Sequence, residues 1–382
     1  MKKLGIYIHI PFCIKKCNYC DFNSIDNYTS KQQMDYTMAL LKEMVMYGKR
    51  IKDDYEIDTV YIGGGTPSAM PESAIVALIS GLYSNFHISD DCEISIEVNP
   101  KTLTYTNASV FKKAGINRIS MGVQSFHRDE LEALERIHTP NELYQAYQIA
   151  RKVGFENINL DLMFGIPNQT AEKWAATVGV AIKLRPEHIS FYSLELDKKT
   201  PLFWAIARGD FDIPSETDDR VMYHYAIAAL KKAGYHHYEI SNAAIPGKEC
   251  KHNLKYWSME PYLGLGLGAS SYFEGKRGQN IENLDEYIKA IECGAMPFKS
   301  VYKNTEEDSI TEFVFTGLRK TEGLDLIAFR ETYGVDFYNH YRDKIEFLSE
   351  SRDNGIIYLD ENRILITEKG LDISNKIIAE FL

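Results

Sequence analysis

Along the first half of the chain, apolar and polar positions switch repeatedly between two periods. Short apolar runs rich in Ile, Val, Leu, Tyr and Phe fall at residues 4–10, 59–62, 93–98, 118–123, 157–163 and 188–194. Between them lie segments with the period of amphipathic helices, clearest at 31–46 and 74–82. The turns Ala114-Gly115-Ile116 and Val153-Gly154-Phe155 mark returns from helix to strand. Six strands alternating with helices predict parallel βα units, hence an α/β fold with a doubly wound sheet or a β/α barrel.

What stands at the end of each run separates the two. Cys13, the Gly63-Gly64-Gly65-Thr66-Pro67 loop, Glu97, Gln124, Asp161 and Glu195 lie at or near six successive strand ends. A barrel gathers its reactive residues at one face from several strands. A doubly wound sheet concentrates its site at one switch point. The reading is therefore a partial (β/α)6 barrel over residues 1–210. From 211 the pattern changes: helical up to Gly234, extended beyond it, rich in glycine and aromatics over 241–280, and mostly helical from about 283. The ending IIYLDENRILI, then TEKGLDISNKIIAEFL, reads as two short strands, a polar turn and a helix, like a small winged module. Residues 211–382 are expected to form a C-terminal α+β domain.

Composition narrows the class. With 382 residues, 45% hydrophobic and 25% charged, the chain is long enough for two or three domains and is neither disordered nor fibrous. Its formal net charge of -11 argues against nucleic acid or an anionic membrane surface as the main partner. No run approaches the ~18 apolar residues of a membrane span. The opening MKKLGIYIHIPF has the lysines and apolar run of a signal peptide, but His9 and Pro11 interrupt it and no small-residue cleavage site follows. It reads as a buried first strand, which places the chain in the reducing cytoplasm.

There, six cysteines do not read as a disulfide framework. Cys92, Cys250 and Cys293 are scattered, whereas Cys13, Cys17 and Cys20 fall in one C-x3-C-x2-C run. Iron–sulfur cubes are held by thiolates, normally four. Three, with no fourth nearby, leave one iron open, and an open coordination position is where a metal centre does chemistry. A structural zinc completed by His9 or Cys92 is the alternative.

The spacing, with Tyr19 before the last cysteine, resembles the signature of radical S-adenosylmethionine (SAM) proteins. The remaining motifs resemble the oxygen-independent coproporphyrinogen III oxidase-like family in order: YIHIPFC with Tyr7, GGGTPS, ISIEVNP, SMGVQSF, LERIH and NLDLMFGIP. The resemblance implies a [4Fe–4S] cluster on Cys13, Cys17 and Cys20 whose open iron chelates SAM. It implies Tyr7 and Tyr19 beside the cofactor, and Gly64, Gly65, Thr66, Glu97, Gln124, Arg136 and Asp161 as SAM contacts. Arg136 can meet a carboxylate as a fork. Glu97 and Asp161 can accept from ribose hydroxyls or the methionyl ammonium, and which takes which stays open.

A second stretch, residues 235–272, places Cys250 and His252 beside Tyr256 and Trp257. An imidazole or thiolate can ligate haem iron, and aromatic surface suits a porphyrin face. Taken alone, a histidine near a tryptophan is an ordinary packing residue. The run HNLKYW, however, is the mark of the family's haem-chaperone branch, the HemW proteins. The resemblance makes His252 the candidate haem ligand, with Cys250 its alternative. The Gly264–Ser270 loop, G-x-G-x-G, lacks the strand–helix frame of a dinucleotide site.

Three functions follow: a haem chaperone carrying cluster, SAM and haem to client haemoproteins; an oxygen-independent coproporphyrinogen III oxidase converting propionates to vinyls; or another radical SAM porphyrin or methyl-transfer enzyme. The family's oxidases carry a fourth cysteine, C-x3-C-x2-C-x-C, where this chain has Phe22. They also carry an N-terminal extension, whereas this chain starts on its first predicted strand. Both departures favour the chaperone. The SAM-contact positions are intact, so radical chemistry, with its electron donor, stays open beside that role.

Overall fold

The computed structural model describes residues 1–382. Six parallel strands form its centre in chain order: β1 (Lys2–Ile10), β2 (Tyr55–Gly64), β3 (His87–Val98), β4 (Arg118–Gln124), β5 (Ile158–Phe164) and β6 (His188–Ser193). All six predicted runs are strands. Each connection carries helix: α1 (Ser30–Ile51), α2 (Glu72–Asn85), α3 (Tyr105–Ala114), α4 (Arg128–Ala133) with α5 (Pro140–Val153), and α6 (Ala171–Leu184). Local chemistry sets the helix ends. Thr29, Thr104 and Thr139 each close a capping box, and Gly115 and Gly154 take the left-handed conformation that stops α3 and α5.

Alternation along the strands divides the sheet. Ile6, Ile8, Val60, Ile62, Ile94, Ile96, Ile119, Leu160 and Ile189 are buried in the apolar core with the helices. The intervening positions are polar: Tyr7, His9, Thr59, Tyr61, Glu93, Ser95, Glu97, Arg118, Ser120, Asn159, Asp161, His188 and Ser190. Parallel strands covered on both faces are normally apolar throughout. Here one face is a polar lumen, held by bonds such as His188 to Asn159 at 2.7 Å and Asn159 Nδ2 donating to Asp161 at 2.6 Å.

The barrel is open, since β1 and β6 take other partners. After α7 (Pro201–Ala207) and α8 (Glu216–Lys232), the short β7 (His236–Glu239) and β8 (Asn242–Ala244) add antiparallel beyond β6. Then α9 (Lys251–Trp257) leads to β9 (Tyr262–Leu265), which pairs parallel with β1. β10 (Ser270–Phe273), β11 (Lys276–Asn280) and, after α10 (Leu284–Glu292), β12 (Phe298–Lys303) complete a twelve-stranded sheet. The chain beyond 283 is mostly helical, as expected, with an additional strand at 298–303 that the sequence pattern did not mark. That edge strand is exposed throughout, so no buried face imposes an apolar alternation on its sequence.

The C-terminal module packs α11 (Glu306–Gly317), α12 (Leu326–Tyr333), α13 (Phe337–His340), α14 (Ile345–Asp353) and α15 (Ser374–Ala379) around a three-stranded antiparallel sheet. Its strands are β13 (Leu324–Asp325), β14 (Ile357–Leu359) and β15 (Arg363–Ile366), the last two joined through the polar Asp360–Asn362 turn of the expected wing.

Candidate functional site

At the carboxyl ends of β1 to β6 a cavity of about 450 Å³ opens. That volume is within the range of small-molecule sites. Twelve predicted residues were assigned to this end of the barrel, and all but Tyr7 line it: Cys13, Cys17, Cys20, Tyr19, Gly64, Gly65, Thr66, Glu97, Gln124, Arg136 and Asp161. A larger groove of about 750 Å³ in the C-terminal module contains none of them.

The three cysteines, all free thiols, sit on the loop leaving β1. Backbone bonds pin that loop: Cys13 N–H donates to the Ile25 carbonyl at 2.9 Å and Ile25 N–H to that of Pro11 at 2.7 Å. Thr66 Oγ1 donates to Cys13 Sγ, and Arg136 Nη1 to Cys17 Sγ, both at 3.5 Å. Burial pushes the Cys13 and Cys20 thiols up. A zinc site completed by His9 or Cys92 is not formed. The His9 ring nitrogens bond Tyr7 Oη at 3.0 Å and the Asn23 carbonyl at 2.9 Å, while Cys92 precedes Glu93 near the amino end of the lumen.

The glycine loop is shaped by contact. Gly64 has φ +113°, and a Cβ there would lie 2.5 Å from His9 Cε1; one on Gly65 would lie 3.0 Å from Cys13 Sγ. Only glycine lets this backbone run so close to the cysteine loop. Gly64 N–H donates to Glu97 Oε2 at 2.9 Å. Burial, then the neighbouring Asp161, pushes the Glu97 carboxyl up to about 7, and burial raises Asp161 too. Arg136 anchors through Nη2 to the Gly122 carbonyl at 2.6 Å, and its buried Nε has no partner. Gln124 adopts φ +64°, uncommon for a residue with a side chain, and accepts from Tyr192 Oη at 2.8 Å. Backbone strain of this kind clusters at ligand sites.

Tyr192, Ser120, Met163 and Ser193 also line the cavity and were not anticipated. Strand alternation was the available signal: Tyr192 and Ser120 occupy the same inward phase as His188 and Arg118. Tyr7 lies deeper, stacked on Tyr61 at 6.4 Å.

The HNLKYW run forms α9 and packs on the amino end of the lumen, opposite the cysteines. His252 is 0% exposed. It bonds Thr59 Oγ1 through Nδ1 at 2.8 Å and Tyr256 Oη through Nε2 at 2.9 Å, and stacks on Tyr61 at 5.5 Å. Burial, then Lys255 and Arg118, pushes its pKa down to about 3, so the ring is neutral. Cys250 Sγ donates to Glu93 Oε1 at 3.6 Å, and burial pushes that thiol up to about 12. The structure thus places the two candidate sites at opposite ends of one polar lumen.

The radical SAM superfamily profile matches residues 7–181, and that of the HemN C-terminal domain matches residues 304–373. The heme chaperone HemW of Bacillus subtilis (strain 168) is 37% identical over 379 residues, covering 98% of both chains. The chain belongs to the HemW family. Its Haemophilus influenzae relative, also a heme chaperone HemW, is 38% identical over 386 residues, covering 99% of this chain and 98% of that one. Among solved structures, the Escherichia coli coproporphyrinogen III oxidase HemN, a radical SAM enzyme, superposes with a TM-score of 0.88. Identity there is 26%, covering 100% of this chain and 90% of that one.

A radical SAM member carries a [4Fe–4S] cluster and SAM. The chemistry of the donors present fits both, although the three thiols are not gathered at metal-ligand spacing: three free thiols on one loop, a glycine cradle against Cys13, the half-buried carboxylates of Glu97 and Asp161, and a guanidinium Nε with an unfilled bond.

Proposed function

We propose that this chain is a haem chaperone that binds a [4Fe–4S] cluster, SAM and haem and delivers haem to client haemoproteins in the cytoplasm. In this reading Cys13, Cys17 and Cys20 hold the cluster. Gly64, Gly65, Thr66, Glu97, Gln124, Arg136 and Asp161 bind SAM, with Tyr19 at the rim and Tyr7 beneath. His252 is the haem ligand, and residues 1–210 and 211–382 are the cofactor and haem-handling domains. What carries the reading is membership in the HemW family over 98% of the chain, together with an intact HNLKYW.

When bound, cluster and SAM supply one-electron chemistry at the sulfonium. The protein's own part is orientation. The unfilled Nε of Arg136 offers a donor to the SAM carboxylate. Glu97 and Asp161 offer acceptors, and Gly64 and Gly65 let the ligand approach the backbone. Between the two candidate haem ligands, His252 is favoured. Its ring is neutral with a lone pair to give, whereas Cys250 is held as a thiol.

The oxidase reading draws on the close superposition with HemN. Against it stands Phe22, where that branch places its fourth cysteine, here 59% exposed at the cavity rim.

Anaerobic reconstitution with iron and sulfide decides. The expected result is one [4Fe–4S] cluster per chain, lost in Cys17→Ser, with haemin binding and transfer that weaken in His252→Ala. No conversion of coproporphyrinogen III to protoporphyrinogen IX is expected. Robust conversion would overturn the chaperone reading, and a chain that retains no iron and sulfide would overturn its cofactor half.

A further inference from the structure

The haem ligand of the proposed function is closed in this structure. A neutral imidazole has one N–H donor and one lone-pair acceptor. Both His252 nitrogens are spoken for, Nδ1 by Thr59 and Nε2 by Tyr256 from one turn along α9. Its ring is also sandwiched, stacked on Tyr61 at 27° and met edge-on by Tyr256 at 84°. Gly5 backs it so closely that a Cβ there would lie 3.3 Å from His252 Cε1. The two partners are held differently. Thr59 is buried on β2, whereas Tyr256 is half-buried on a seven-residue helix.

We propose that Tyr256 is a latch on His252, a positioning residue whose hydroxyl occupies Nε2 until haem iron takes its place. The proposal rests on the haem-chaperone reading. In the tautomer that serves it, Nδ1–H donates to Thr59 and stays there, fixing the ring as second-sphere acceptors fix metal-bound imidazoles. Nε2 then keeps its lone pair, used first by the Tyr256 O–H and afterwards by iron. Ligation breaks one hydrogen bond and one iron–water bond and forms one Fe–N bond. No proton or electron moves, and the phenol passes to water. Apo-chaperone therefore keeps His252 closed to solvent, and haem must be offered at the α9 end before this ligand opens to it.

Haemin titrations of the reconstituted full chain, followed by the Soret band and by low-temperature electron paramagnetic resonance, test this. Tyr256→Phe keeps the ring and removes only the hydroxyl, so the free state no longer satisfies Nε2. The expected result is haem affinity tighter by about fivefold, the worth of one ordinary hydrogen bond, with the same histidine-ligated spectrum. Thr59→Val is expected to weaken affinity and to perturb that spectrum, since the ring loses its fixed tautomer. His252→Ala in the Tyr256→Phe background is expected to abolish both the gain and the spectrum. Unchanged or weaker binding by Tyr256→Phe, with His252→Ala still defective and thermal unfolding of the variant near wild type, overturns the latch alone. Should His252→Ala bind haem with the wild-type spectrum, the His252 reading and the latch fall together.

Discussion

Glu97 and Asp161 share one cavity, and the Asp161 carboxylate adds to the cost of ionising Glu97. A SAM ammonium or ribose hydroxyl is best received by the ionised form. With Glu97 at about 7, the free protein must lose that proton to bind well. SAM affinity is therefore expected to improve as pH rises through about 7, by up to about tenfold per pH unit on the acid side. Isothermal titration across that range checks it, and Glu97→Gln should bind weakly with a flat profile. At this scale the sequence was legible wherever a motif carried the residue: eleven of the twelve barrel-end positions converge on one cavity. It was opaque where only packing decides. Nothing in YIHIPFC shows that the Tyr7 hydroxyl turns to His9, and nothing in FYSLEL shows that Tyr192 buttresses Gln124.

The six βα units were readable as elements because each carries a period, a cap and a stop, and these agree with one another. α9 was not. Its seven residues mix a buried histidine, a buried lysine and two aromatics, so no clean apolar stripe marks it. What holds it is tertiary. Lys255 Nζ pairs with Asp58 at 2.9 Å and Glu260 at 2.7 Å, Arg319 lies over Trp257 at 4.6 Å, and His252 reaches into the lumen. All of this depends on a bare backbone at Gly5 of β1, where a Cβ would stand 2.9 Å from Thr59 Oγ1 and 3.0 Å from Lys255 Cδ. Gly5→Ala is expected to lift α9 and destabilise the fold by about 1–3 kcal/mol, the usual cost of overpacking. Urea unfolding measures it. Because α9 and β9 are joined through Tyr256–Tyr262 packing at 4.6 Å, haem affinity should fall in the same variant while cluster loading at the other end of the lumen is retained.

Across the whole molecule, one sheet runs through both predicted domains, so the C-terminal strands β9 to β12 are continuous with the barrel rather than appended to it. Their seam is closed by a fully buried acid on α1. Glu43 accepts from Gly266 N–H at 2.8 Å, Asn280 Nδ2 at 2.9 Å and Tyr287 Oη at 2.7 Å, gathering the β9–β10 loop, β11 and α10 around one carboxyl. Burial outweighs these three donors and pushes its pKa from an ordinary 4.5 up to about 7. Within that window the folded chain keeps a proton that the unfolded chain has released. The folded state then binds more protons, and stability falls as pH rises, fully lost as a contribution above about 7. The change amounts to up to about 3 kcal/mol. Glu97 contributes a parallel slope, so the informative quantity is the difference between wild type and Glu43→Gln. The amide that this substitution introduces has no proton to release, and Asn280 can turn its unpaired Oδ1 toward it. The variant's denaturation midpoint is expected to fall less steeply than wild type between about pH 5 and 7 and to approach or pass it above. If both fall in parallel, Glu43 is ionised throughout, and the three donors, not the proton, hold the two halves of the sheet together.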